Sequence, residues 1–312
     1  MMESHPHAWY AFCFEEETGS KVTAQGWFRK GRALQTAGRY GEALDAYSRA
    51  IEAGLHNART YHRRADTYAV LGLYREAIED YDRAIQLDVE DQELYMDRAY
   101  SLCCVADYDQ AIHDCERVIR LRPNDPKPYI VRGSAYGLAN RPDLAIKDFN
   151  RAIELNGGDA ELYYNRGLAN FLLGNFDEAS KDYDAATSLD PDFAHVYYNR
   201  GVLHQRRGRY EEALKDYCAA LELGLHLPEV YCNRGTARAK LGQYELATQD
   251  FDAALDLDPQ NCDVYYYRAV AHMVIGNEGQ ALEDMRTAAG LGHSKAIDFL
   301  TDHGLPLKEA VN

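Results

Sequence analysis

The sequence is short of the features that mark most functional classes. It has no uninterrupted run of 18 apolar residues, so no membrane-spanning helix is expected. The opening MMESHPHAWYAFCFEEE lacks the basic start and long apolar core of a secretory signal. Cysteines number seven, odd and irregularly spaced, so the expectation is reduced thiols in a cytoplasmic protein rather than a disulfide framework. Positive charge is in deficit: 34 Lys and Arg stand against 50 Asp and Glu, a net charge of −16. That balance argues against nucleic acid and against an anionic membrane surface as partners. There is no HExxH, no phosphate-binding loop and no paired CxxC, so neither an enzyme nor a cofactor or metal is expected. Gly290, Gly292 and Lys295 imitate a glycine-rich loop but follow no strand and fit a helix junction better. Cys103 and Cys104 adjoin on a helix and point about 100° apart, which suits neither a disulfide nor a shared metal.

What is present is a period. In Ala160–Phe193, residues Tyr163, Arg166, Gly167 and Asn170 recur at the spacing of one helix face. Gly174, Asn175 and Phe176 interrupt it. Ala179, Tyr183 and Ala186 mark a second face, and Asp190-Pro191 ends it, because proline cannot continue a helix. This 34-residue template fits in either direction without insertion from residue 24 to 295. Counting each repeat from one, position 20 is always alanine, from Ala43 to Ala281, and position 8 is only glycine or alanine. Position 27 is alanine except at Val118. Small residues there let two antiparallel helices approach closely. Position 4 is Trp27 and then seven tyrosines, expected to fill the space between the helices.

A 34-residue period with this pattern closely resembles the tetratricopeptide (TPR) repeat. The resemblance implies an all-α solenoid, a right-handed superhelix of antiparallel helix pairs with a C-terminal capping helix. The expected organisation is an N-terminal arm or cap at 1–23, then repeats at 24–57, 58–91, 92–125, 126–159, 160–193, 194–227, 228–261 and 262–295. A capping helix and tail would follow at 296–312, with Ala296, Phe299 and Leu300 on its buried face. Pro142 replaces an aromatic but suits the first turn of a helix. Cys115 and Met285 take an aromatic position, and Gly54 and Gly224 substitute for the Asp-Pro turn as helix C-caps. The arm carries Trp9, Tyr10, Phe12 and Phe14, and either packs as a cap, stays a partly ordered tail, or docks in a groove. His5, His7 and Cys13 lack a second ligand cluster, so no metal is expected there.

Two patterns overlie the scaffold. Position 7 is arginine in seven repeats, from Arg64 to Arg268, and position 23 is aspartate in the same seven, from Asp80 to Asp284. The first repeat breaks both, with Lys30 and Ala46. A half-buried salt-bridge ladder within or between repeats is expected. A basic stripe for anionic ligands is not, since the matching acids would neutralise it. The second pattern is a groove face at positions 5, 9 and 12 with 2, 6 and 13, which in the resembling family lines the concave, ligand-binding surface. Its N-terminal end is basic, with Arg29, Arg32, Arg59, Arg63 and His62 against Asp66. Its middle is apolar, with Met96, Tyr100, Ile130, Val131, Leu138, Leu168, Phe171 and Leu172. Its C-terminal part carries Tyr164, Tyr198, Tyr266 and Tyr267 beside Asn165, Asn199 and Asn233. Seven basic and six acidic residues leave the face nearly neutral on an acidic protein.

Spaced carboxamides can hold a peptide backbone of any sequence, since each offers donors and an acceptor. The asparagine series is similar to that in the TPR arm of O-linked N-acetylglucosamine transferases, although only three repeats carry it and no glycosyltransferase domain is present. Position 5 holds no lysine, so the carboxylate clamp that some TPR grooves use for chaperone C-termini is not expected. The sequence therefore points to a non-catalytic scaffold or adaptor, binding a partner segment with apolar and acidic residues in its groove. A self-assembling module, working through the arm or the capping helix as a homo-oligomer, and a regulatory subunit of a separate enzyme remain as alternatives.

Overall fold

The computed structural model describes residues 22–306. Every regular element among them is a helix. The first helices of successive pairs are α1 (Ala24–Thr36), α3 (Ala58–Val70), α5 (Gln92–Cys104), α7 (Pro126–Leu138), α9 (Ala160–Leu172), α11 (Ala194–Arg206), α13 (Pro228–Lys240) and α15 (Cys262–Val274). Between them lie α2 (Tyr40–Glu52), α4 (Tyr74–Leu87), α6 (Tyr108–Leu121), α8 (Pro142–Leu155), α10 (Phe176–Leu189), α12 (Tyr210–Glu222), α14 (Tyr244–Leu257) and α16 (Glu278–Gly290). A short α17 (Ser294–Asp302) closes the series. Two compact units divide the chain after Asp114, inside α6. In each unit, sequential helices pack on one another and each first helix also touches the next first helix. The proposed arm lies almost wholly outside the described residues, as does the tail from residue 307.

Capping follows from the residues before each first helix. Thr23, Asn57, Asp91, Asp125, Asp159 and Asn261 each accept a backbone N–H of the first turn through their side chains. Pro142 occupies the first position of α8, where its missing N–H costs nothing. At Gly54, φ is +96°, and Leu55 and Gly54 donate to the carbonyls of Ala50 and Ile51, a Schellman cap in place of Asp-Pro. The turn inside each pair needs one left-handed residue. Glycine supplies it six times, but Ala106 at +63° and Asn140 at +57° stand in the other two turns. Asparagine tolerates this region, whereas alanine is strained there by about 1–2 kcal/mol.

The core differs from the expectation in which aromatic is deepest. Tyr47, Tyr183 and Tyr217 at position 24 are fully buried, with Tyr81, Phe149 and Phe251 almost so. The reason is position 8. A Cβ placed on Gly167 would come within 2.8 Å of the Tyr183 ring, and Gly31, Gly133, Gly201 and Gly235 show the same close approach. Glycine is therefore the space the ring occupies. The position-4 tyrosines are shallower. The hydroxyls of Tyr95 and Tyr129 reach back to the carbonyls of Val89 and Pro123 in the preceding turn. Cys115 and Met285 are fully buried where the aromatic is missing. In α17, Ala296 and Leu300 are inaccessible and pack with Met285, Ala288 and Ala269, so the helix covers the end of the last pair.

All seven arginines at position 7 pair with the aspartate at position 23 of their own pair of helices. Arg64 Nε and Nη2 donate to Asp80 at 2.6 and 2.8 Å, and Arg132 to Asp148 at 2.7 and 2.7 Å. The same fork repeats from Arg98–Asp114 to Arg268–Asp284. A third nitrogen reaches the preceding repeat at a position the sequence pattern did not single out. Arg98 Nη1 meets Asp82, Arg166 meets Asn150, Arg200 meets Asp184 and Arg268 meets Asp252. Each guanidinium also lies over the position-4 ring, as with Arg166 at 5.5 Å from Tyr163. Arg98, Arg166, Arg200 and Arg268 therefore each join two successive repeats. The aspartates are buried, with Asp114 and Asp250 side chains only 1% and 2% exposed. Burial makes each pair costly to break by one partner alone, about 3–5 kcal/mol.

Candidate binding face

The predicted site residues fall on the first helices of both units. In residues 22–114, Arg29 and Arg32 are exposed on α1 and line a shallow depression with Ala33 and Thr36. No ion pair to either is present among the described residues. Arg63 instead donates to Asp66 at 3.2 Å. His62 does not stand in a basic zone: its Nε2 lies 2.8 Å from Asp97 and 3.3 Å from Asp66. Burial works against the His62 imidazolium, but the hydrogen bond to Asp97 and the two carboxylate charges outweigh it and raise its pKa. Asp66 is raised too, chiefly by burial. The Tyr81 hydroxyl donates to Asp66 at 3.1 Å. The basic expectation is thus corrected in the second repeat, because α5 brings Asp97, at position 6 of the third repeat, over His62 at position 5 of the second. Met96 is half-buried and Tyr100 exposed on α5.

In residues 115–306 the face changes character. Gly133, Ser134, Gly137 and Leu138 of α7 meet Asn165, Leu168, Ala169 and Leu172 of α9 around a notch of about 290 Å³, floored by Phe149. Leu138 and Leu172 are 60% and 57% exposed, high values for leucine on a helix that packs elsewhere. A Cβ on Gly137 would meet nothing within 4 Å, so the missing side chain is what keeps the notch open. The groove reading did not single out glycine at position 12, though its contrast with Phe171 one repeat later was visible. Ile130 is half-buried on α7. Phe171 meets the Phe176 ring at a tilt and lies beneath the Arg206 guanidinium.

The asparagine series makes bonds within the chain. Asn199 donates to the Tyr164 hydroxyl at 2.9 Å and to the His195 carbonyl, and Asn233 donates to the Tyr198 hydroxyl at 3.2 Å. Tyrosine at position 5 and asparagine at position 6 of the next repeat thus form a cross-repeat pair that was legible as a pattern but read as two separate features. Asn165 has no such tyrosine before it, because Ile130 holds that place, and its amide borders the notch. Tyr266 stacks on His293 with ring centroids 4.3 Å apart. The Tyr183 hydroxyl is buried with no hydrogen-bond partner among the described residues. In the corresponding places, Tyr47 and Tyr217 donate to Gln35 and Gln205, whereas Phe171 stands in the glutamine position beside Tyr183.

Cys103 and Cys232 are not poised for chemistry. Burial pushes the Cys103 thiol up to about 11, and Cys232 likewise to about 11. Thiolate, the nucleophilic form, is therefore scarce at neutral pH. No helix among the described residues is long and apolar enough to cross a membrane.

A helix–turn–helix unit that recurs every 34 residues, with small residues at the helix crossing and an aromatic in the gap, defines a repeat solenoid. The tetratricopeptide repeat family matches at residues 24–53, 58–91, 126–159, 160–193, 182–215 and 228–261, and this chain belongs to it. Among solved structures, a tetratricopeptide repeat protein from Parabacteroides merdae is 18% identical, with a TM-score of 0.63 over 80% of this chain and 98% of its own. YrrB, described as a TPR protein with an unusual peptide-binding site, is 22% identical with a TM-score of 0.54 over 61% of this chain and 97% of its own. The MamA protein is 24% identical, with a TM-score of 0.50 over 55% and 94%. At such identities the likeness establishes the fold. No curated protein matches the chain.

Proposed function

We propose that the chain is a non-catalytic, protein-binding scaffold that holds a segment of a partner protein against its first-helix face. The observation that carries this reading is the open notch between α7 and α9, where Leu138, Leu168 and Leu172 leave apolar surface uncovered around Asn165. Its dimensions suit one apolar side chain of the partner, and the Asn165 carboxamide is placed to bond the backbone beside it. The exposed Arg29 and Arg32 on α1 favour acidic residues elsewhere in the same partner. A peptide-binding relative of this fold, YrrB, agrees with that class of ligand. Nucleic acid and membrane insertion are not part of the reading, given the acidic charge and the absence of a spanning helix among the described residues. A cytoplasmic location follows the same reading.

The test uses peptides selected from a random displayed library on the full chain. Gly137→Leu fills the notch into open space. It should leave the melting temperature unchanged or higher while weakening the selected peptides at least tenfold. Undiminished affinity in Gly137→Leu and in Leu168→Asp would overturn the notch as the anchor.

A further inference from the structure

His62 and Asp66 lie one turn apart on α3, and Asp97 comes from α5 to meet them. Their donor atoms, one imidazole nitrogen and two carboxylate oxygens, all lie within 4.8 Å of one another. We infer that this cluster is a binding site for a divalent transition-metal ion of the zinc class, clipping α3 to α5. The spacing fits. Ligands at about 2.0–2.2 Å from zinc stand about 2.9 Å apart at a right angle and about 3.4 Å apart at a tetrahedral angle. His62 Nε2 is 2.8 Å from Asp97 Oδ2 and 3.3 Å from Asp66 Oδ1, edges of those two lengths. One neutral imidazole and two carboxylates balance a doubly charged ion, and imidazole with carboxylate suits zinc or its first-row neighbours better than calcium or magnesium.

The surroundings position the donors. Tyr81, buried beneath α3, donates its hydroxyl to Asp66 Oδ1 at 3.1 Å and sets its ring edge against His62, with centroids 5.9 Å apart. Such outer contacts hold ligands in orientation. The Arg63 guanidinium, 3.2 Å from Asp66 Oδ2, opposes the ion. It occupies the other oxygen of that carboxylate and is 44% exposed, so it can swing into solvent. His62 is 14% exposed and Asp97 44%, which gives the site a sheltered base and an open mouth. Three protein donors leave a fourth position free at that mouth.

Chelator-stripped full-length protein, titrated calorimetrically with zinc alone and followed with cobalt(II) by absorption, tests the site. One equivalent should bind and raise the melting temperature, without a thiolate-to-cobalt charge-transfer band. His62→Gln and Asp97→Asn should each weaken binding at least tenfold and abolish the thermal shift, while keeping the helical circular dichroism of the parent. No binding by the parent chain, binding unchanged in both variants, or a thiolate band that persists in His62→Gln would each overturn the proposal. The readout is metal binding itself, so it stands or falls apart from peptide recognition.

Discussion

Residues 22–114 and residues 115–306 are built on one template, yet their first-helix faces differ in kind. The first presents ionisable groups: Arg29 and Arg32 stand exposed, and His62, Asp66 and Asp97 interlock. The second presents apolar surface around a notch, then tyrosine–asparagine pairs. The scaffold positions hardly differ between them. Arg64–Asp80 in one and Arg166–Asp182 in the other are the same forked pair. The repeat thus separates two tasks by residue position. Positions 7, 8, 20, 23, 24 and 27 hold helices together, and their chemistry is constrained by burial. Positions 5, 6, 9, 12 and 13 look outward, so their chemistry is free to vary.

That separation predicts a graded set of responses. The largest belongs to the scaffold. Asp182→Ala strips the partner from Arg166 and from the Asn170 amide, and should cost about 3–5 kcal/mol in chemical or thermal denaturation. The outward substitution Leu172→Ser, in the same unit, should cost under about 1 kcal/mol. Equal losses from the two would erase the distinction. A smaller contrast lies in the turns. Ala106→Gly should stabilise the chain by about 1 kcal/mol by relieving a left-handed alanine, while Gly174→Ala at the equivalent turn should destabilise it by a similar amount. A destabilised Ala106→Gly would show that the strain is absent. Tyr183→Phe removes a buried hydroxyl that has no partner, so stability should hold or rise by up to about 1 kcal/mol. Tyr217→Phe, which orphans the Gln205 carbonyl oxygen, should lower stability instead.

The smallest effect is a difference in pH response, read on metal-free protein. His62 has its pKa raised against Asp66 and Asp97, so its contribution is fully present below about 6.5 and fades as pH climbs through the higher folded value. His204 on α11 has its pKa lowered, first by burial and then by Arg200 and Arg209, against an opposing pull from Asp216 and Glu212. Its contribution is present above about 6.5 and is lost as pH falls through the lower folded value. His62→Gln should therefore flatten the alkaline side of the stability profile and His204→Gln the acidic side. The same response from both variants would break the comparison.

Much of the scaffold was legible in linear order because its causes are local and periodic. Glycine or alanine at position 8 and Ala179 and its equivalents at position 20 act within one helix pair, where fixed spacing becomes fixed geometry. Even the pairing of the position-7 arginines with the position-23 aspartates was readable, since the two types recur and vanish together, though not that Arg166 takes Asp182 of its own repeat in a fork. The depth of Tyr183, the third bond from Arg166 to Asn150, and the left-handed Ala106 were less so. They depend on which surfaces meet after packing.

The outward face divides the same way. The sequence by itself determined that the chain repeats every 34 residues as paired helical stretches, and that apolar Leu138, Leu168 and Leu172 cannot all be scaffold. Helix periodicity and capping are properties of neighbours along the chain, so order along the chain is enough to state them. Only the tertiary structure decided that Asp97 joins His62, that Asn199 and Asn233 hold tyrosines, and that Gly137 leaves a notch beside Asn165. Those outcomes turn on distances between side chains 28 to 35 residues apart, set by how one helix pair stacks on the next. Linear order constrains such distances only after the stacking is known.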